Sequence, residues 1–455
     1  MPQPPVPNVR LRALLDRAGW TGQALADAVN RVGAEAGMDL RYDRTAVAHW
    51  LSGTRPTEAA ARFAAEALTR RTGSPVTAAD AGLERPREQG ALSAGTPPGL
   101  AEVAAQLRQL ADVGRSRGAL LQGVAYSLAA SVLPAFGELP PASLVKPDRA
   151  QRVGATHAQA ASLMLELFSE SDAARGGGHA RPPLTAFLGT DVADWLRSPA
   201  SPRTHSRLLA AAADLAYLAG FACFDDQLHA AAQRYYLSAA ELARAAGDPT
   251  RYAIVLRGMS VQALALGHRH EAWRLASTAA DGSAADGAQA AFLVGQLAVA
   301  SAGDGDHRSA LRYLAEAERL LARRDTVEAR IGAYHQASLA HQQAETLALL
   351  GDTARAVDLL DLSLRHRPPG ELRSRAVTRA RLAELRLRLG HVEHACADWN
   401  IFLDDLPRLR SGRADAARRT MRALLRPHSR VPAARALLAR SANPPGPASP
   451  ARRHD

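Results

Sequence analysis

The chain has 455 residues, 47% hydrophobic and 22% charged, a soluble-protein composition in a length that exceeds one hydrophobic core, so two or three domains are expected. Aromatic residues make up only 5%; with Ala, Leu and Arg dominant, helices packed through small side chains are favoured over aromatic-rich sheets, and an all-α fold is predicted. The net charge of +11 does not by itself imply nucleic acid, because Lys146 is the single lysine and such an Arg skew fits the codon usage of a high-GC genome.

Cys223 and Cys396 are far apart with no metal-ligand spacing, which excludes a disulfide framework and suits a reducing compartment. The opening MPQPPVPNVR lacks a basic stretch followed by an apolar run, so no signal peptide is expected and a cytoplasmic location is. There is no Walker loop, strand-flanked GxGxxG, GxSxG or Cys/His quartet; no enzyme, cofactor or metal site is predicted.

From residue 8 to 83 a head domain is expected. Apolar residues recur at helical spacing in four blocks: Leu11, Leu14 and Leu15; Leu25, Ala28 and Val29; Val47, Trp50 and Leu51; Phe63, Ala64, Ala67 and Leu68. Thr21 suits an N-cap of the second helix, and Ser52-Gly53 ends the third. On the third, Val47, Trp50 and Leu51 form a core face, leaving Thr45, Ala48, His49 and Ser52 on the opposite stripe. Short side chains with hydroxyl or imidazole groups allow close approach to base edges in a major groove. Arg41, Arg44 and Arg55 flank that helix and could hold phosphates. A solvated face is the plainer alternative.

The stretch from 84 to 99 concentrates Pro, Gly and charge and reads as a linker. A helical connecting region follows from 100 to 203. Within it, residues 118–136 are uncharged and just long enough to span a bilayer; Gln122, Tyr126, Ser127 and Pro134 favour a buried core helix instead, with a membrane tether the minor alternative. Arg175–Pro183 (RGGGHARPP) reads as a mobile loop.

From 204 to 440 the chain repeats. Gly267, Gly305, Gly351 and Gly390 are each followed five residues later by Ala272, Ala310, Ala356 and Ala395. Asp225 or Asp226 marks a diverged copy at the front. Gly permits a tight turn between antiparallel helices and Ala their close approach. In a superhelix of hairpins the first helix of each pair lines the concave side, making Ile254, Arg257, Phe292, Ser338, His341 and Glu345 candidate partner contacts, with core packing or plain exposure as the alternatives. The HxxH of His391 and His394 reads as a surface pair, and Asp225-Asp226 and Asp404-Asp405 as turn and helix-end residues. The Arg-rich end, Arg408 to Arg440, reads as a solvated capping helix, with contact to DNA phosphates or an acidic partner as the alternative. Residues 441–455 read as a disordered tail.

Ala26 and the Trp50 to Gly53 closure make the head resemble the helix-turn-helix domain of Xre-like repressors, and the copy from Ala337 to Pro368 resembles the tetratricopeptide repeat. Two departures stand out in the head. Gly22 occupies the place of a phosphate-contacting Gln, with Gln23 next to it as a substitute. About eleven extra residues, NRVGAEAGMDL, separate the second helix from the third. The resemblance implies a transcriptional regulator of a kind common in high-GC bacteria, binding double-stranded DNA through its head. It further implies that the helical repeats sense a peptide, small molecule or protein partner, self-associate as a homodimer, or both. The alternative from a different class is a tetratricopeptide-type protein–protein scaffold that never meets DNA.

Overall fold

A computed structural model describes residues 6–36, 38–84, 99–115, 126–131, 133–138, 152–282, 285, 287–322 and 334–442. The protein is all-α, with no strand among the described residues. Contacts divide it into two compact units: residues 1–161, 184–224 and 228–282, and residues 162–183, 225–227 and 283–455.

The first unit begins with α1 (Val9–Ala18), α2 (Gly22–Glu35), α3 (Arg44–Leu51) and α4 (Glu58–Thr72). Their apolar stripes converge on one core containing Leu11, Leu14, Leu15, Leu25, Val29, Val47, Trp50, Phe63 and Leu68, all buried. Asn8 ties the bundle together. Its Oδ1 accepts from the Leu11 amide at 3.0 Å, capping α1, while Nδ2 donates to the carbonyls of Ala81 and Gly82 at 2.9 and 3.1 Å.

The extra residues before α3 are absorbed mainly by lengthening α2, then by a return strand of chain pinned to it. Asn30 accepts from the Tyr42 amide at 2.9 Å and donates to the Tyr42 carbonyl at 2.8 Å. A Cβ on Gly33 would lie 2.4 Å from Leu40 Cδ1, so the absence of a side chain there lets the return segment seat. Glu35, at the end of α2, holds Arg70 of α4 through two hydrogen bonds of 2.9 and 2.8 Å.

Arg70 also donates to Glu66 at 2.7 Å, and Glu66 meets His268 Nε2 at 2.9 Å; both side chains of that last pair are buried. The head is thereby docked inside the first unit, against the turn at Gly267 and His268; the next helix in the chain is α5 (Leu100–Arg115). The ring of Tyr126 stacks on His268 with centroids 5.3 Å apart.

The segment expected as a buried core helix differs. Residues 118–125 and 132 lie outside the described residues, and from Tyr126 to Phe136 the chain forms short 3-10 turns at Ala129–Ser131 and Phe136–Glu138. The reason is side-chain competition for its backbone. Gln233 accepts from the Ser127 amide at 2.8 Å and donates to the Ser127 carbonyl at 2.7 Å, while Arg274 donates to the carbonyl of Ser131 at 2.8 Å. One helix among the described residues, α9 (Pro202–Asp225), is long and apolar enough to cross a membrane, and 89% of its apolar window is buried inside the protein. The linker and tail expectations, 84–99 and 441–455, fall almost wholly outside the described residues.

The helices after α5 run α6 (Ala155–Arg175), α7 (Gly177–Phe187), α8 (Ala193–Trp195), α9 (Pro202–Asp225), α10 (His229–Ala245), α11 (Pro249–Ala265) and α12 (Arg269–Asp281), then α13 (Gly287–Asp304), α14 (His307–Ala322), α15 (Gln336–Leu349), α16 (Thr353–His366), α17 (Leu372–Arg388), α18 (Val392–Asp405), α19 (Gly412–Leu425) and α20 (Pro432–Ala442). The expected loop at 175–183 is therefore a helix, α7, separated from α6 by Gly176 at φ +89. Pro182 and Pro183 remove two intrahelical donors, but the helix start is held from outside: the Gly177 amide donates to Asp225 at 2.9 Å, the Gly178 amide to the Arg410 carbonyl at 2.9 Å, and Arg181 to Asp226 at 3.0 Å.

The helix pairs α11/α12, α13/α14, α15/α16 and α17/α18 pack on each other. Their turns are the four repeating glycines, at φ +89, +96, +90 and +84, and Ala272, Ala310, Ala356 and Ala395 are all fully buried. The diverged front copy turns not at Asp225 or Asp226 but at Gln227, the non-glycine residue with φ +64, followed five residues later by the fully buried Ala232. Asp225 and Asp226 do close α9, as helix-end residues, and Asp405 and Asp404 pair with Arg375 and Arg440.

Candidate nucleic-acid interface

The geometry of α3 follows from its two ends. Asp43 is its N-cap: one carboxylate oxygen accepts from the amides of Thr45 and Ala46 at 3.0 and 2.9 Å. The hydrogen bond from the Ala46 amide leads in holding its pKa below the ordinary aspartate value, so the carboxylate stays ionised beside the positive end of the helix. At the far end Gly53 takes φ +106, and a Cβ there would run into the backbone oxygen of Val6. The Asn8 amide donates to the Leu51 carbonyl at 2.9 Å, so the N-terminal segment closes over the exit of α3.

Between those ends the helix has two unlike sides. Val47 is fully buried and Trp50 nearly so, with the edge of Tyr42 against the Trp50 ring at 5.2 Å. Thr45, Ala48 and His49 are exposed, and Ser52 continues the same side, its hydroxyl donating to the His49 carbonyl at 2.9 Å. Arg44, the first residue of α3, and Arg55 are exposed and make no ion pair among the described residues. Arg41 pairs with Asp39 at 3.0 Å, but both are almost fully in solvent, where such a pair is worth about 0–1 kcal/mol and exchanges freely.

At the second helix Thr21 caps α2, accepting from the Ala24 amide at 3.2 Å. Gln23 is exposed but engaged: its oxygen accepts from the Arg44 amide at 3.2 Å and its nitrogen donates to Asp27 at 2.8 Å. It braces α2 onto the start of α3. All nine residues singled out in the head are thus exposed, and Gln23, Arg44, Thr45, Ala48, His49 and Ser52 are joined through α3. Asp43 and Asn30, which set where α3 starts, were not singled out. The Asp three residues before Ala46 was a readable cap signal; the Asn30–Tyr42 clamp, twelve residues apart, had none.

The proposed partner contacts are divided between the two units. Ile254 and Arg257 belong to the first unit and Phe292, Ser338, His341 and Glu345 to the second. Ile254 is buried in α11 and so packs in the core. Phe292 is half-buried against Tyr334, ring centroids 5.4 Å apart. Glu345 is gripped by Arg381 at 2.9 and 3.1 Å, and His341 Nδ1 lies 3.2 Å from the Thr378 hydroxyl.

Desolvation, opposed by Glu345 and assisted by the nearby Arg367 and Arg381, lowers the His341 pKa from 6.5 to about 4. The unfolded chain therefore binds the proton more tightly than the folded one, and stability is full above pH 6.5 and lost as pH falls toward 4. His341→Gln, which keeps a polar partner for Thr378, is expected to be less acid-sensitive than the wild type across that window, by up to about 3 kcal/mol. Denaturant unfolding at a series of pH values measures it; parallel curves for the two proteins would refute a buried neutral imidazole.

No group of three or more metal-ligating side chains occurs among the described residues, and His391 and His394 stand with ring centroids 6.1 Å apart at the start of α18. Residues 11–84 match the family model described as the SP15 N-terminal domain, a span that covers α1 to α4 and the turn after them. No curated protein matches the chain, and no solved structure does.

Proposed function

We propose that the chain is a sequence-specific DNA-binding transcriptional regulator of the Xre-like, helix-turn-helix kind, working in the cytoplasm and reading duplex DNA with the exposed side of α3. The observation that carries this reading is the two-sidedness of α3. Trp50 and Val47 anchor it while Thr45, Ala48, His49 and Ser52 stand in solvent with small or hydrogen-bonding side chains, flanked by exposed Arg44, Arg41 and Arg55. A helix that approaches base edges needs short residues at its centre and cations at its margins.

The paired helices behind the head act in this reading as tetratricopeptide-like repeats. Their positive-φ turns and buried alanines support it. They would receive a peptide, small molecule or protein partner and mediate self-association, and the docking of α4 on His268 supplies a route from the repeats to the head.

A mobility-shift assay of the full-length protein on fragments of its own genome, at rising salt, tests the reading. A protein that neutralises six to ten phosphates loses on the order of a thousandfold or more in affinity between about 50 and 200 mM salt. Absence of any salt-sensitive shift would overturn it in favour of the scaffold alternative.

A further inference from the structure

We propose that the turn between α19 and α20 is a second DNA-contacting surface, a basic patch that grips the phosphate backbone without reading sequence. The inference rests on the DNA-binding reading for its choice of partner, and on a contrast within the second unit for its existence.

That contrast answers the codon-usage objection. Along α17 five of the six arginines are matched by acids: Arg373 with Asp172 at 2.9 Å, Arg375 with Asp405 at 3.0 Å, Arg379 with Asp398 at 3.2 Å, Arg381 with Glu345 at 2.9 Å and Arg386 with Asp361 at 2.5 Å, Arg388 at the helix end being exposed. Between residues 406 and 442 the pattern breaks, with ten Arg against Asp415 alone.

Four of those ten, Arg413, Arg418, Arg422 and Arg440, turn to partners in the fold: Asp225, the Ser441 carbonyl, the Leu438 carbonyl and Asp404. Arg419, Arg426, Arg430 and Arg435 do not. They are exposed, and among the described residues none makes an ion pair. Arg419 and Arg426 are seven residues apart, on one stripe of α19 and its continuation, and Arg426, His428 and Arg430 fill the turn that leads into the first helical turns of α20, where Arg435 sits. α19 and α20 pack on each other, so the chain reversal between them brings Arg426, Arg430 and the start of α20 with Arg435 to one end of the pair, with Arg419 two turns up α19.

The chemistry of the patch selects the partner. From Arg408 to Ala442 there is no Phe, Tyr or Trp. A protein interface is centred on buried aromatic or apolar anchors, and a single-stranded nucleic acid stacks its bases on aromatic rings. A surface of exposed guanidinium groups without aromatic rings, and with Leu424 as its one large exposed apolar side chain among the described residues, fits the regularly spaced phosphates of a duplex.

The test uses the full-length protein and the triple variant Arg426→Glu/Arg430→Glu/Arg435→Glu, with a neutral counterpart carrying Gln at the same positions, titrated onto a mixed-sequence duplex over a salt series. Melting temperatures of the variants establish that they fold. The expected result is a smaller salt dependence, the slope of log affinity against log salt falling in magnitude by roughly 2–3 for the loss of that many phosphate contacts, with the Gln variant showing the same loss and the preference for genomic target over mixed sequence retained. An unchanged slope in both variants overturns this patch while leaving the α3 reading intact. Loss of binding to poly-glutamate with an unchanged DNA slope also overturns it, in favour of an acidic protein partner. If the wild type binds no duplex at all, the DNA reading itself fails.

Discussion

Ala48→Glu is expected to abolish specific DNA binding by the full-length protein while leaving its melting temperature close to that of the wild type. Ala48 lies mid-way along α3 with its side chain in solvent, and Glu is a good helix former, so the fold has no reason to object. At a groove, however, the methyl group marks the closest approach of the helix, and a carboxylate there meets both the space and the negative potential of the duplex. Thr45→Ala and His49→Ala are expected to act more gently, each losing about 1–3 kcal/mol of discrimination, or roughly five- to 150-fold, if its hydrogen bond reads a base edge. Competition binding against mixed-sequence DNA distinguishes these cases. Wild-type affinity and specificity in Ala48→Glu would show that α3 is merely a solvated face.

The largest stability effect is expected at Asp225→Ala. The carboxylate is fully buried in the second unit. It accepts from Arg413 Nε at 3.0 Å and from the Gly177 amide at 2.9 Å, with Arg373 3.9 Å away. Burial alone would raise its pKa, but Arg413, Arg373 and the amide outweigh that and hold it below the ordinary value. Removing it takes away the carboxylate closest to Arg413 and the second acid beside Arg373, which keeps Asp172, and leaves the first amide of α7 without its acceptor; breaking a buried charge network in this way costs about 3–5 kcal/mol. For a unit of this size that corresponds to a melting point lower by roughly 6–20 °C. Because the folded pKa is depressed, the stabilisation is complete above the unfolded aspartate value near 4 and disappears as pH falls through the folded one. The acid side of the wild-type stability curve should therefore be missing its steepest part in the variant. Asp404→Ala, which breaks an exposed pair with Arg440, is the control and should cost about 1 kcal/mol or less. Equal effects of the two substitutions would refute the buried network.

The stripe on α3 was legible because helical periodicity is local: Val47, Trp50 and Leu51 declare one side, so the other side follows without knowing what lies behind it. The repeat turns were legible for the same reason, since a Gly and a small Ala five residues apart solve a steric problem within one hairpin. Where the device was the same but the residue differed, the reading missed by a step. Gln227 turns the front hairpin with positive φ in place of a glycine, and the neighbouring Asp pair drew attention instead.

Composition and periodicity by themselves determined that this protein is all-α, that its first four helices share a core, and which side of α3 is left to solvent. Tertiary structure alone decided what polar groups do when distant chain segments meet. It made a helix of the Gly- and Pro-rich stretch after Arg175, because Asp225, Asp226 and the Arg410 carbonyl hold its start, and it engaged the exposed Gln23 in bracing α3. It also sorted arginines identical in sequence into those satisfied by acids and those left open at the α19–α20 turn. The physical reason is one of range. Apolar patterning acts over three or four residues, whereas a buried charge must find its partner wherever the fold delivers one, here as far away as Asp172 from Arg373.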